Sequence, residues 1–143
     1  MWTVATFPLS THGVMRQPIV VFQDLFGIDL NITHAVNSGA AWGMFASFPQ
    51  ALVVLRFVLI AALLGYLLFF NTQPSWRVPL VLIISGAIGN VIDYFLYGYV
   101  VDMIHVSFWG YNYPVFNVAD STIFVGAVWI VLSTLFEKSG KVA

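Results

Sequence analysis

Three long apolar runs, separated by short polar breaks, dominate the pattern of this chain. Residues 51–70, about 79–97 and about 118–136 carry few charges, and roughly 20 helical residues suffice to cross a hydrocarbon layer of about 30 Å. The pattern predicts three transmembrane helices. The first run, ALVVLRFVLIAALLGYLLFF, holds one charge, Arg56, near its start. A long side chain there can snorkel to the interface, so Arg56 is expected to be an anchor. The break NTQPSWR contains Pro74 and Arg77, and the chain ends EKSGKVA with Lys138 and Lys141. If the spans alternate, both basic ends lie on one side, which the excess of positive charge makes cytoplasmic. Residues 1–50 and the loop 98–117 then face outward.

The outward segments have a different texture. Pro8, Arg16, Pro18, Asp24 and Asp29 interrupt every apolar run in the first fifty residues, so no fourth span is expected there, and nothing resembles the basic start of a secretory signal. VVFQDLFGIDLNITHAV alternates apolar and polar residues in places, which predicts an extended or partly stranded interfacial segment. The loop GYVVDMIHVSFWGYNYPVFN is rich in Trp, Tyr and Phe, as segments at a headgroup boundary are. The fold expected is an all-α helical transmembrane bundle with a small β-like extracytoplasmic segment, forming one membrane-embedded domain over residues 1–143.

Composition strengthens this picture and removes several alternatives. Of 143 residues, 60% are hydrophobic and 8% charged, against roughly 25% charged in ordinary globular domains, and the mean hydropathy is +0.91. The net charge is −1 and the basic residues are scattered, so neither a nucleic-acid footprint nor a polybasic lipid-binding cluster exists. With no cysteine, disulfides, thiolate catalysis and Cys-ligated metal are excluded. His12, His34 and His105 lack the spacing of a zinc site, and Ser38, Ser121 and Ser133 lack a G-x-S-x-G context.

The acids carry the chemical signal. The chain has six, and Asp93, Asp102 and Asp120 fall within or beside the last two spans. Asp93 follows Asn90 by three residues in GAIGNVID, so both project from one helix face. Asp102 lies half a helical turn out of phase with Asp93, which a straight helix could not aim inward as well. Gly98 is a place for the helix to end, after which VVDMI could double back over the site. Asn117 and Asp120 repeat the three-residue spacing at the start of the final span. With Asn117 as N-cap, Asp120 occupies the third helical position, where free N–H groups and the helix dipole favour negative charge. A cap alone would explain Asp120; it would not explain Asp102. Asp102 stands among Val100, Val101, Met103 and Ile104, surroundings that raise the pKa of a carboxyl. Two such acids brought together share one proton near neutral pH, and can hydrolyse a peptide bond by activating water with one member and polarising the carbonyl with the other. A proton path or a purely structural role is the competing explanation. In NSGAAWGMF, residues 37–45, the small residues around Gly39 permit close approach of a backbone or ligand and Asn37 can hydrogen-bond it, although helix packing would use the same residues.

In order and spacing, these blocks resemble the lipoprotein signal peptidases (signal peptidase II), bacterial membrane aspartyl proteases. NSGAAWGMF is similar to the family's N-x-G-A-A-[FW] block, GNVIDYFLYGYVVDMI to its G-N-x-x-D-R…G-x-V-x-D-F block, and FNVADSTIFVG to its F-N-x-A-D block. The resemblance spans residues 37–126. It implies that Asp102 and Asp120 are the catalytic pair and that Asn37, Gly39, Asn90, Asp93 and Asn117 shape the site and contact substrate. It also implies that the substrate is a prolipoprotein whose cysteine already carries diacylglycerol, cleaved just before that cysteine. The site would sit near the extracytoplasmic face of the bacterial cytoplasmic (inner) membrane, with residues 17–36 as an interfacial cradle. No metal or organic cofactor is implied, and a monomer acting among membrane lipids is expected.

Two departures stand against the family pattern. The Arg that usually follows the aspartate of G-N-x-x-D is Tyr94 here, which removes a cation that could orient Asp93 or meet a lipid headgroup. Family members have four spans, the first with a D-Q-x-x-K-like ending, and this chain offers three, so the upstream coding sequence is expected to hold about 20 apolar residues. The alternatives are a small proton-linked transporter or channel component using the same acids, and a catalytically inactive truncated relative. Transport predicts a polar stripe through a whole span, whereas the polar groups concentrate toward the outer third.

Overall fold

The computed structural model describes residues 18–37 and 49–139. Residues 38–48, with Gly39 and most of the NSGAAWGMF block, lie outside them, as do His12, Arg16 and Lys141. Strands β1 (Ile19–Leu25) and β2 (Ile28–Asn37) come first, followed by helix α1 (Pro49–Gly65). Its last turn widens into a π-helical turn, Tyr66–Phe70, closed by the Asn71 N–H donating to the Tyr66 carbonyl at 2.8 Å. A 3₁₀ turn, Pro74–Trp76, leads into α2 (Arg77–Tyr97). Strands β3 (Val100–Phe108) and β4 (Tyr111–Asn112) follow, and α3 (Val118–Ser139) closes the order.

The three helical runs Gln50–Phe70, Pro74–Tyr97 and Val118–Phe136 are each long and apolar enough to cross a membrane. Their outward faces leave Leu59, Phe69, Phe95, Val131 and Phe136 exposed, as suits helices whose surroundings are lipid rather than water. The buried core is correspondingly small, with Leu52, Leu80, Ile84, Val91 and Val100 at its centre. Without a hydrophobic force to press helices together in lipid, close backbone approach has to hold them. Gly86 on α2 and Gly126 on α3 supply it: a Cβ on Gly86 would lie 2.5 Å from the Ala119 carbonyl oxygen, and one on Gly126 would lie 2.6 Å from the Pro79 carbonyl oxygen.

The expectation of an all-α fold is corrected by a four-stranded antiparallel sheet in the order β1-β2-β3-β4. The segment read as an outer loop, 98–117, supplies two of the strands. Its alternation is hard to see because β3 buries the polar Asp102 and Ser107 along with Val100 while Met103 and Phe108 are exposed, which departs from an apolar-in, polar-out strand. The stretch expected to be extended, 17–36, contains β1 and most of β2. Gly98 ends α2 with φ +81°, its N–H donating to the Tyr94 carbonyl at 2.8 Å, so a left-handed C-terminal residue turns the chain into β3.

Candidate active site

The sheet and the helix ends converge on Asp102. β2 pairs with β3 so that Ala35 faces Asp102 and Asn37 faces Val100, and a bulge opposes Thr33 and His34 to Met103. Bulges re-aim side chains beside sites. Asn37, two residues beyond Ala35, shares its face of the sheet, and its amide donates to Asp102 Oδ2 at 3.0 Å. On the other side of β3, the Met103 and Ile104 N–H groups donate to the Phe116 carbonyl at 3.0 and 2.8 Å, and the Phe116 N–H returns to Ile104 at 3.0 Å. This bridge brings the next residue, Asn117, against Asp102.

Asn117 is 4% exposed and Asp102 3% exposed; such buried polar groups are expensive unless fully bonded. The Asn117 amide meets that demand with both protons, donating to Asp102 Oδ1 at 2.9 Å and to Asn90 Oδ1 at 3.0 Å. Asn90, on the facing side of α2, donates to Asp120 Oδ1 at 2.8 Å. A continuous chain of amides therefore links the two acids: Asp102, Asn117, Asn90, Asp120. Asn117 also caps α3 as its sequence position predicts, with the Asp120 N–H donating to Asn117 Oδ1 at 2.8 Å.

Burial pushes the Asp102 carboxyl up to about 6; the nearby Asp120 and Asp93 carboxylates push the same way, against the hydrogen bonds from Asn37 and Asn117. Asp102 thus holds its proton far better than an ordinary aspartic acid. Asp93 takes a different position from the other acids. Its Oδ2 accepts the Val101 N–H at 3.1 Å, so it grips the backbone beside Asp102. The neighbouring Tyr94, where the family pattern carries Arg, packs edge to face with Phe95.

Asn37, Asn90, Asp102 and Asp120 line one cavity of about 400 Å³. Tyr113 to Phe116 form its rim, and Ile123, Phe124 and Ala127 form an apolar wall along α3. Arg56 lines it too and is half-buried, so the expectation of a plain lipid-interface anchor does not describe its place. The rule that charged residues inside spans face a bundle interior or cavity was the available signal. No group of three or more metal-ligating side chains occurs among the described residues. Two convergent acids, a ladder of amides and a partly apolar cavity opening along a membrane helix are suited to acid–base hydrolysis of an extended, lipid-associated chain.

Residues 1–136 match the family model of signal peptidase (SPase) II. Lipoprotein signal peptidases of Staphylococcus aureus strains JH9 and Newman are each 36% identical over 114 residues, covering 78% of this chain and 69% of theirs. Two solved structures described as bacterial membrane enzymes are also similar. One, determined by the in meso method at 2.3 Å resolution, superposes with a TM-score of 0.75 at 32% identity, over 87% of this chain and 74% of that one. The other, at 1.9 Å resolution, gives a TM-score of 0.65 at 34% identity, over 80% and 74%.

Proposed function

The chain belongs to the signal peptidase II family of aspartic-type proteases, and we propose that it removes signal peptides from diacylglyceryl-modified prolipoproteins with Asp102 and Asp120 as its catalytic pair. The observation that carries this assignment of residues is the amide chain from Asp102 through Asn117 and Asn90 to Asp120, with Asp102, Asn90 and Asp120 lining one cavity. Asp102, its proton retained by burial, is the acid. Asp120, both of whose oxygens accept hydrogen bonds at the first turn of α3, is the carboxylate.

Water attacks the carbonyl carbon of the residue before the lipidated cysteine and gives a proton to Asp120, while Asp102 passes its proton to the carbonyl oxygen. The resulting gem-diol collapses as Asp120 protonates the cysteine nitrogen and Asp102 recovers a proton from one hydroxyl. The C–N bond breaks and both acids return to their starting states. Asn37 and Asn117 orient Asp102 throughout, Asn90 orients Asp120, and Asp93 holds β3 through Val101. Gly39 we assign to substrate binding on the family pattern.

The same reading makes residues 1–143 one membrane-embedded peptidase domain, monomeric among lipids in the bacterial cytoplasmic membrane, with its cavity toward the extracytoplasmic face. The test is reconstitution in lipid with a diacylglyceryl prolipoprotein. Asp102→Asn and Asp120→Asn should each abolish cleavage while membrane insertion is kept, and cleavage surviving either change would remove that residue from the pair.

A further inference from the structure

A charged guanidinium is costly to place inside a span, and such residues face cavities and functional partners. Arg56 stands seven residues into α1, which starts at Pro49, or about 10 Å along the helix. Asn90, the amide that holds Asp120, stands seven residues from the end of α2 at Tyr97, and it lines the same cavity as Arg56. It lines the cavity together with Asp102 and Asp120 but comes from a different helix. One wall of the cavity therefore offers carboxyl groups and the α1 wall offers donors only, since arginine accepts no hydrogen bond.

A peptide seated on the aspartates presents its scissile carbonyl to them. The diacylglyceryl group, carried on the sulfur a few bonds away, branches off that backbone, and its ester carbonyls are its only strong acceptors. The apolar residues Ile123, Phe124 and Ala127 beside the acids suit the acyl chains that continue from those esters. We propose that Arg56 is a substrate-binding, specificity-determining residue that donates hydrogen bonds to the ester carbonyl oxygens of the substrate's diacylglyceryl group. The planar fork of arginine can serve two adjacent carbonyls, which a lysine ammonium does less well. This inference rests on the proteolytic reading for the identity of the ligand, but it concerns binding and not bond cleavage.

The experiment measures binding of a fluorescent lipopeptide to the protein in nanodiscs, with cleavage followed separately. Two ligands are compared, one with the diacyl ester and one with the dialkyl ether, which keeps the chains and loses the carbonyls. The wild-type protein should bind the ester about tenfold or more tightly than the ether. Arg56→Gln should weaken the ester by a similar factor, raise KM more than it lowers kcat, and leave the ether unaffected; Arg56→Lys should fall between. Equal losses for ester and ether would overturn the proposal and point to a peptide carbonyl or to structural damage. Unchanged binding of both would overturn it as well. Ester-selective binding lost in Arg56→Gln, in a wild-type protein that cleaves neither ligand, would sustain the inference while the proteolytic reading fails.

Discussion

Asn117 and Asp120 hold each other reciprocally across the first turn of α3: the Asp120 N–H donates to Asn117 Oδ1 at 2.8 Å, and the Asn117 N–H donates to Asp120 Oδ2 at 3.2 Å. This is the arrangement of a capping box, with an aspartate in the returning position. The asparagine that satisfies the helix end also gives its amide protons to Asp102 and Asn90. One side chain thereby couples the local stability of α3 to the placement of both acids.

These two duties can be separated by substitution. Serine at position 117 keeps a good cap but is too short to replace the amide, so Asn117→Ser should cost about 1–3 kcal/mol by leaving buried Asp102 Oδ1 and part-buried Asn90 Oδ1 without their donor. Asn117→Ala should lose about 1 kcal/mol more, the contribution of the cap. Proteolysis should fall at least a hundredfold in both. Thermal unfolding in detergent beside a lipopeptide cleavage assay checks this, and activity in Asn117→Ser that tracks its stability would contradict it.

Two acids on the sheet, Asp102 and Asp29, should respond oppositely to pH. Asp102 binds its proton more tightly folded, at about 6, than unfolded, near 3.8. Its contribution is full below about pH 3.8 and is lost as pH rises to about 6. Asp29 is held below its ordinary value by the Ser107 hydroxyl at 2.7 Å and the Asp24 N–H at 2.8 Å, so its contribution is present above pH 3.8 and is lost on acidification. Unfolding midpoints across about pH 3.5–6.5 should therefore lose their downward slope toward pH 6 in Asp102→Asn and lose part of the acid-side decline in Ser107→Ala. In the wild-type enzyme, cleavage should fall as pH rises past about 6, where Asp102 gives up the proton that polarises the carbonyl.

The sequence made the helices readable because a membrane span declares itself by length and apolarity alone, and Gly98 and Asn117 marked helix ends by ordinary capping chemistry. The sheet was much less readable. In β3 the polar Asp102 and Ser107 are buried along with Val100, so side chains that bond within the site or across the sheet blur the alternation by which a strand is recognised. Which acids form the pair was legible through the ordered motif blocks; the three-residue spacings put Asn90 and Asn117 near them but could not say that Asn90 would bond Asp120 while Asp93 bonds the Val101 N–H. The partners Asn37 and Arg56 come from other elements, and their convergence depends on the register of β2 on β3 and on how α1 docks, which local pattern does not encode.

The contact between α2 and α3 ties stability to the site in another way. A Cβ at Gly86 would collide with the Thr122 hydroxyl oxygen and lie 2.5 Å from the Ala119 carbonyl oxygen, and Ala119 immediately precedes Asp120. Backbone cannot yield as a flexible side chain can, so Gly86→Ala should push the helices apart and cost about 1–3 kcal/mol. Because Asn90 reaches Asp120 across this same interface at 2.8 Å, kcat should fall further than the fraction of folded protein does. Gly65, with open space around it, provides the control: Gly65→Ala should leave both stability and kcat near wild type.

At the far end of the sheet, two hairpins interlock. Phe26 and Gly27 in the first turn, and Trp109 and Gly110 in the second, all have positive φ, the signature of the turn whose twist matches paired strands. The Trp109 N–H donates to the Gly27 carbonyl at 2.7 Å, and the Trp109 ring occupies the space that a Cβ on Gly27 would need. Gly27→Ala therefore combines backbone strain with displacement of the indole, and should cost about 1–2 kcal/mol. Asp102 and Asn37 sit at the other end of the β2–β3 ladder, so the damage should remain local. Hydrogen exchange should speed up for amides near Ile28 and Phe108 while those near Asp102 keep their protection, and kcat/KM should change less than threefold. Loss of protection along the whole ladder would instead mean that the sheet unfolds as one unit and that its tip helps hold the acids in place.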